Sequence, residues 1–130
     1  MSKFSLTSYL RYVPALLWMG LTFWLSDSPD IQGASGWIDL RPPLDKVAHA
    51  VSFGVLALLF YFATRRALLS ILLASLYGVT DEFHQSLVPG RDADLFDWMA
   101  DTLGAALAIS ALLFLKRWRP RWTKWTKKLQ

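Results

Sequence analysis

Four long apolar stretches constrain this chain of 130 residues more than any other feature. Each reaches about 20 residues, the length that a helix needs to cross the hydrocarbon core of a bilayer. A helix of a soluble bundle needs a polar face, whereas residues 47–64 contain no Asp, Glu, Lys or Arg. We therefore predict an all-α fold, an integral membrane bundle of four transmembrane helices. The predicted spans are Ser8–Leu25, Lys46–Thr64, Ala67–Gln85 and Leu95–Leu115.

Two features of these stretches leave alternatives open. The uninterrupted apolar part of the third and fourth stretches is only about 14 residues, a length that also suits a buried core helix. The first stretch follows a weakly basic start, as a signal peptide does, but no small-x-small cleavage site precedes Asp27. We expect it to be a retained span. Hydrophobic residues make up 54% of the chain, more than an ordinary soluble domain carries, and cysteine is absent.

The charges are sorted by sign along the chain. Eleven of the fourteen basic residues lie before or at the start of the first stretch, between the second and third, or after the fourth. The positive-inside rule places these regions, and so both termini, in the cytoplasm. All ten acidic residues and both histidines fall on the other side. We predict one membrane domain over residues 1–115 and a basic, Trp-rich cytoplasmic tail over residues 116–130, which binds lipid headgroups rather than nucleic acid.

Polar side chains recur at helical spacing at the outer ends of the last three stretches. Residues three or four apart share a helix face, so each stretch presents a polar stripe, and we expect the three stripes to converge on one site. A Pro89-Gly90 turn would place Arg91 over its mouth. Gly54, Gly78 and Gly104, one to two turns deeper, are expected to let the helices pack closely. The stripes consist of Asp45 and His49; Asp81, Glu82 and Gln85; and Asp94, Asp97 and Asp101.

Four fragments of the sequence resemble the VanZ-like family of membrane proteins. DKVAHAVSF matches the pattern D-K-x-x-H-x-x-x-F, GVTDEFHQ matches G-x-x-x-E-x-x-Q, and PGR matches P-x-R. DWMADTLG lies where the family has D-x-x-x-N-x-x-G, with Asp101 in place of the usual Asn. The resemblance covers residues 45–104 and implies a four-span protein of the bacterial inner membrane. The distribution of charges predicts that its site lies on the outer face. The family is linked to resistance to teicoplanin, a glycopeptide antibiotic that targets cell-wall precursors.

The predicted site residues fall into two groups. The candidate catalytic residues are His49, Glu82 and Asp97. The candidate ligand-binding residues are Asp45, Lys46, Gln85, Arg91 and Asp101. The alternative for His49 is a structural hydrogen bond to Glu82 or Asp97. Together with these carboxylates and Asp101, His49 could hold a divalent cation, and zinc, manganese and magnesium all suit such ligands. His84 lies off the pattern and is a weaker candidate.

These residues fit two classes of function. In the first, the site binds a cell-envelope lipid, such as a polyprenyl-linked cell-wall precursor, or a glycopeptide-related ligand, without turnover. In the second, the protein is a membrane enzyme that acts on a lipid bearing a phosphate or pyrophosphate. There, Lys46 and Arg91 would bind phosphate, and His49 and Glu82 would transfer a proton. A proton-coupled transporter is disfavoured, because no ionisable residue lies at the midplane of a predicted span. The oligomeric state is left open.

Overall fold

The computed structural model describes residues 9–27, 44–89 and 93–118. These ranges contain four α-helices and no strand, which confirms the all-α prediction. Residues 9–10 are helical and residues 11–12 form a turn, after which a helix begins at Val13, with Pro14 in its first turn, where a missing N–H costs no helical hydrogen bond. The fourth continues beyond Leu115. The helices are α1 (Val13–Ser26), α2 (Leu44–Thr64), α3 (Ala67–Gln85) and α4 (Leu95–Trp118).

A two-residue connection reverses the chain between α2 and α3. Arg65 adopts a left-handed conformation with φ 58°, a common way to end a helix. Helix α3 therefore returns antiparallel to α2, and α4 then runs parallel to α2. The side chains at the starts of α2 and α4 meet, as the contact between Lys46 and Asp97 shows. The start of α2, the end of α3 and the start of α4 thus lie at the same end of the bundle.

Helices α2 and α3 each pack against the other three helices, and the most extensive contact is between α2 and α4. Glycine makes the close approach to α4 fit. A Cβ atom added at Gly104 would lie 2.0 Å from the carbonyl oxygen of Ala50, and one added at Gly54 would lie 3.2 Å from that of Gly104. The prediction that Gly54 and Gly104 serve helix packing is confirmed.

Helix α1 is attached to the bundle through polar contacts as well as apolar ones. Trp18 Nε1 donates to the carbonyl oxygen of Ser52 on α2, at 3.1 Å. The Tyr77 hydroxyl on α3 donates to the carbonyl oxygen of Met19, at 2.7 Å. These bonds satisfy polar groups that would otherwise be unpaired where the helices meet.

The distribution of side chains is unlike that of a soluble bundle. Large apolar residues face outward on every helix; Leu17 on α1 and Leu68 on α3 are each 70% exposed. The five largest fully buried side chains include three polar ones, Ser70, Gln85 and Asp101. An apolar exterior around small and polar interior residues is typical of helices packed within a membrane.

Length and composition support two of the four predicted spans. Within the described ranges, α2 and α4 are long and apolar enough to cross a membrane. Helix α1 is apolar but only 14 residues long. Helix α3 has 19 residues and carries Asp81, Glu82, His84 and Gln85 at its end.

Candidate functional site

A polar cluster fills the end of the bundle where α2 and α4 begin and α3 ends. His49 and Asp101 are at its centre: the Nδ1 atom of His49 lies 3.0 Å from Oδ1 of Asp101. The histidine side chain is 11% exposed and the aspartate side chain is fully buried. A carboxylate at this distance orients the imidazole and selects which ring nitrogen carries the proton.

Glu82 approaches this pair from α3 and also secures the start of α4. Its Oε2 atom accepts a hydrogen bond from the backbone N–H of Asp94, at 2.7 Å. Asp94 immediately precedes α4, so the glutamate satisfies one of the backbone N–H groups around a helix N-terminus that lack a helical partner. The Oε1 atom of Glu82 is buried without a hydrogen-bond partner among the described residues.

A second carboxylate of α3 lies beside Glu82. Asp81 is 3% exposed, and its Oδ2 atom accepts a hydrogen bond from Nε2 of Gln85 at 3.0 Å. Gln85 Nε2 also donates to the hydroxyl of Ser26, which ties α3 to the end of α1. Gln85 therefore holds Asp81 and α1 together, a positioning role on the edge of the cluster.

Lys46 supplies positive charge at the outer edge of the cluster. Its Nζ atom lies 2.5 Å from a carboxylate oxygen of Asp94 and 2.5 Å from one of Asp97. Asp45 is farther, at 3.8 Å. The hydrogen bond from Lys46, followed by one from the backbone N–H of Phe96, lowers the pKa of Asp94 below the usual value for an aspartate. Lys46 thus joins the starts of α2 and α4.

The floor of the cluster is apolar and closely fitted. The rings of His49 and Phe53 are nearly parallel, with centroids 6.4 Å apart. On α3, Gly78 faces the buried carboxylate, since a Cβ atom added there would lie 3.0 Å from Oδ2 of Asp101. That oxygen has no hydrogen-bond partner among the described residues. Glycine at position 78 therefore leaves room beside an unsatisfied buried acceptor.

His49, Glu82 and Asp101 are close enough to act on a common atom. Each can offer one ligand atom such that all three atoms lie within 4.8 Å of one another. The chemistry open to such a group is proton transfer between the imidazole and a carboxylate, acceptance of hydrogen bonds from a donor-rich ligand, or binding of a cation.

The structure groups the predicted site residues into two levels. His49, Glu82 and Asp101 form the deep level, while Lys46, Asp97 and Asp45 form the outer one. The partner of His49 is Asp101 rather than Glu82 or Asp97. Asp97 instead pairs with Lys46, and Gln85 pairs with Asp81. Arg91 lies outside the described residues.

Three residues near the site were not among the predicted site residues, namely Asp81, Asp94 and Ser26, although Asp81 and Asp94 had been placed on the polar stripes. Asp81 adjoins Glu82, and neighbouring positions of a helix point about 100° apart, so spacing alone did not indicate that both would be buried. Ser26 lies at the end of α1 and carries no motif. His84, the weaker candidate, stacks on Phe23 with ring centroids 4.0 Å apart and lies near Asp27, away from the deep level.

A comparison of the sequence with known protein families agrees with the position of these residues in the structure. The sequence matches the family described as VanZ/LLP1 over residues 11–116. The chain belongs to this family. Most of the motif positions noted in the sequence, including His49, Glu82 and Gly104, lie at or just below the polar cluster. The VanZ/LLP1 match and the two long apolar helices together support a membrane protein.

This VanZ/LLP1 chain has a relative in fission yeast. An uncharacterised protein of Schizosaccharomyces pombe is 41% identical over 95 residues, which cover 64% of this chain and 59% of the relative. The match therefore spans somewhat over half the length of that protein. No solved structure matches the chain.

Proposed function

We propose that all four helices of this VanZ/LLP1 protein cross the membrane, with both termini in the cytoplasm. The distribution of basic residues supports this topology, since the Arg65-Arg66 connection lies at the end of the bundle opposite the polar cluster. The cluster would then open at the outer face, which in a bacterium is the outer face of the inner membrane. The apolar exterior of each helix supports contact with lipid.

Single cysteines test this topology, because the chain has none of its own. Ser86→Cys, just after α3, is exposed at the end that carries the cluster, and Arg66→Cys is exposed at the other end. A membrane-impermeant maleimide should label Ser86→Cys in intact cells and Arg66→Cys only after permeabilisation. The reverse pattern, or equal labelling, would refute the topology.

We further propose that the polar cluster binds the polar headgroup of a membrane lipid. The observation that carries this proposal is the set of three buried carboxylate oxygens, on Asp81, Glu82 and Asp101, that have no hydrogen-bond partner among the described residues. Unsatisfied buried acceptors are uncommon because each forgoes its hydrogen bonds to water. A headgroup that supplies hydroxyl or amide donors, or that brings a cation, would satisfy them. The surrounding lipid-facing helices favour a ligand that arrives from the membrane.

The ion pairs around Lys46 bear on the chemistry of the headgroup. Lys46 is held by Asp94 and Asp97, so a phosphate would have to displace these carboxylates to reach it. Direct binding therefore favours a headgroup rich in donors, such as the sugar of a polyprenyl-linked cell-wall precursor. A phosphate group would need a cation between it and the carboxylates.

Binding of labelled polyprenyl lipids to the protein in nanodiscs tests this function. We expect saturable binding by the wild type and binding weakened about tenfold or more by Glu82→Gln or Asp101→Asn, since a hydrogen bond to a charged group contributes about 1.5–3 kcal/mol. Asp27→Asn is the matched control, because it removes a carboxylate that is 62% exposed and lies outside the cluster. Teicoplanin is a competitor that probes a glycopeptide-related ligand. Equal lipid binding by all variants would refute the proposal.

The His49–Asp101 pair favours a second candidate, an enzyme acting on a phosphate- or pyrophosphate-bearing lipid. An imidazole held 3.0 Å from a buried carboxylate, with Glu82 nearby, is an arrangement suited to acid–base chemistry. Incubation with polyprenyl pyrophosphate should then release phosphate, and Glu82→Gln should abolish the release. Saturable binding without product would leave the binding function and exclude this reaction.

A further inference from the structure

The deep level of the cluster holds two carboxylates, Glu82 and Asp101, and one imidazole, His49, which when protonated neutralises only one of them. Glu82 is 7% exposed and Asp101 is fully buried, and within ranges 9–27, 44–89 and 93–118 neither forms an ion pair with a lysine or an arginine. Lys46 pairs with carboxylates of the outer level only. Buried carboxylates in proteins are usually paired with a cation or coordinate a metal. This charge imbalance points to a positively charged ligand.

The geometry brings the three side chains within reach of one small ion. The three ligand atoms of His49, Glu82 and Asp101 lie within 4.8 Å of one another. Metal bonds to imidazole nitrogen and carboxylate oxygen are about 2.0–2.2 Å long, so the ligands of one ion are about 3–4 Å apart. Side-chain rotations that move atoms by about 1 Å would close the group around one ion.

The surroundings of the three residues support the same conclusion. Asp101 Oδ2 and Glu82 Oε1 are buried atoms that have no hydrogen-bond partner in the described part of the chain, and each belongs to a residue that is more than nine-tenths buried. Glu82 has its other oxygen fixed by the backbone N–H of Asp94. Metal ligands are typically held in this way by hydrogen bonds around the site. Nδ1 of His49 and Oδ1 of Asp101 already lie 3.0 Å apart, a separation expected of two ligands of one ion. Gly78 leaves the side of Asp101 open.

We propose that His49, Glu82 and Asp101 form a binding site for one divalent transition-metal ion, Mn²⁺ or Zn²⁺. One imidazole and two carboxylates suit both ions, and the lack of cysteine removes softer ligands. Three protein ligands leave at least one coordination position for an oxygen of another molecule. The oxygen of a lipid phosphate would occupy that position, a step that rests on the proposed lipid-binding function. The metal site itself does not depend on it.

Metal binding by the purified full-length protein tests the proposal. The protein is stripped with EDTA, dialysed, and titrated with Mn²⁺ or Zn²⁺, with Mg²⁺ for comparison, and bound metal is quantified by mass spectrometry. We expect about one equivalent of Mn²⁺ or Zn²⁺, and an affinity reduced about tenfold or more in Glu82→Gln and Asp101→Asn. Asp27→Asn should bind as the wild type does. Size-exclusion profiles and thermal unfolding establish that each variant is folded.

Two outcomes would overturn the metal site. One is the absence of stoichiometric binding by the folded wild type. The other is wild-type affinity in folded Glu82→Gln and Asp101→Asn, which would place any bound ion elsewhere. If both variants fail to fold, Gly78→Val provides the test, because it inserts a side chain beside Asp101 without removing a ligand. Wild-type metal affinity in a folded Gly78→Val variant would also overturn the proposal.

The lipid assay separates failure of the metal site from failure of the proposed function. If EDTA leaves lipid binding unchanged, the proposed lipid-binding function stands, and the proposal that a bound metal ion holds the lipid phosphate is overturned. If the protein binds one equivalent of metal but no lipid, the proposed metal site stands and the proposed lipid-binding function is refuted. Lipid binding that is lost with EDTA and restored by Mn²⁺ or Zn²⁺ is the result expected if a metal ion at this site holds the lipid phosphate.

Discussion

Replacement of Gly104 by alanine tests how the bundle is held together and how the site is aligned. The added Cβ atom would lie 2.0 Å from the carbonyl oxygen of Ala50, 2.5 Å from its carbonyl carbon and 2.6 Å from its Cα. Real Cβ atoms essentially never approach closer than 3.0 Å, so α2 and α4 must separate by at least about 1 Å. All three atoms belong to the backbone, so a change of rotamer cannot relieve the clash.

The expected loss of stability follows from two opposing effects. Overpacking of this kind costs about 1–3 kcal/mol, and a clash with backbone belongs at the upper end. Exchange of glycine for alanine within a helix returns about 1 kcal/mol. We therefore expect Gly104→Ala to lower the free energy of unfolding by about 2 kcal/mol. The same separation would lengthen the 3.0 Å contact between His49 and Asp101, which lie next to Ala50 and one turn before Gly104.

Unfolding in mixed micelles, followed by far-ultraviolet circular dichroism, measures this change. Gly20→Ala is the matched control, because a Cβ atom at Gly20 would meet nothing within 4 Å. The control should be as stable as the wild type or more stable, by up to about 1 kcal/mol. If Gly104→Ala were as stable as Gly20→Ala, the close packing of α2 against α4 described above would be incorrect.

Three further predictions concern single residues. Gly78→Ala should weaken metal binding with a smaller effect on stability than Gly104→Ala, since its methyl group would meet mainly side chains, Asp101 among them, at 3.0 Å or more; a titration with Mn²⁺ measures this. Arg65→Gly should raise the free energy of unfolding by about 1 kcal/mol, because glycine adopts φ 58° without strain, and the same micelle assay would detect it. The lowered pKa of Asp94 means that its bond to Lys46 stabilises the fold at pH values above the ordinary aspartate pKa, about 4. Thermal unfolding should therefore show Asp94→Asn less stable than wild type at neutral pH, with the difference vanishing as the pH falls through the lowered pKa of Asp94; a constant difference would contradict this.

The sequence predicts the helices well because their signals are local. The second and third predicted stretches end where α2 and α3 do, at Thr64 and Gln85. The long apolar runs and the basic turn at residues 65–66 both act over a few neighbouring residues. The start of α1 is less well predicted, because apolar residues continue upstream of Val13 and only Pro14 indicates where the helix begins.

The pairing within the site depends on helix register, which spacing alone does not determine. The residues Asp97 and Asp101 share one face of α4 and differ in depth by about 6 Å, so either could meet His49. The contact between Ala50 and Gly104 fixes the offset between α2 and α4. That offset brings Lys46 level with Asp97, and His49 level with Asp101.

The helix register shows where Asp101, which replaces the asparagine usual in the family, lies within the cluster. It places an additional carboxylate in the deepest part of the cluster, against His49 and without solvent exposure. The resemblance alone left the role of this position open.

Native mass spectrometry of the protein released from nanodiscs tests the central claim most directly, because it weighs bound lipid and bound metal on the same molecule. With polyprenyl pyrophosphate and Mn²⁺ supplied, the wild type should appear as a complex with one metal ion and one lipid. The double variant Glu82→Gln/Asp101→Asn should appear without either, while Asp27→Asn should match the wild type. Equal lipid and metal adducts on the wild type and the double variant would contradict the claim that this cluster is the ligand-binding site.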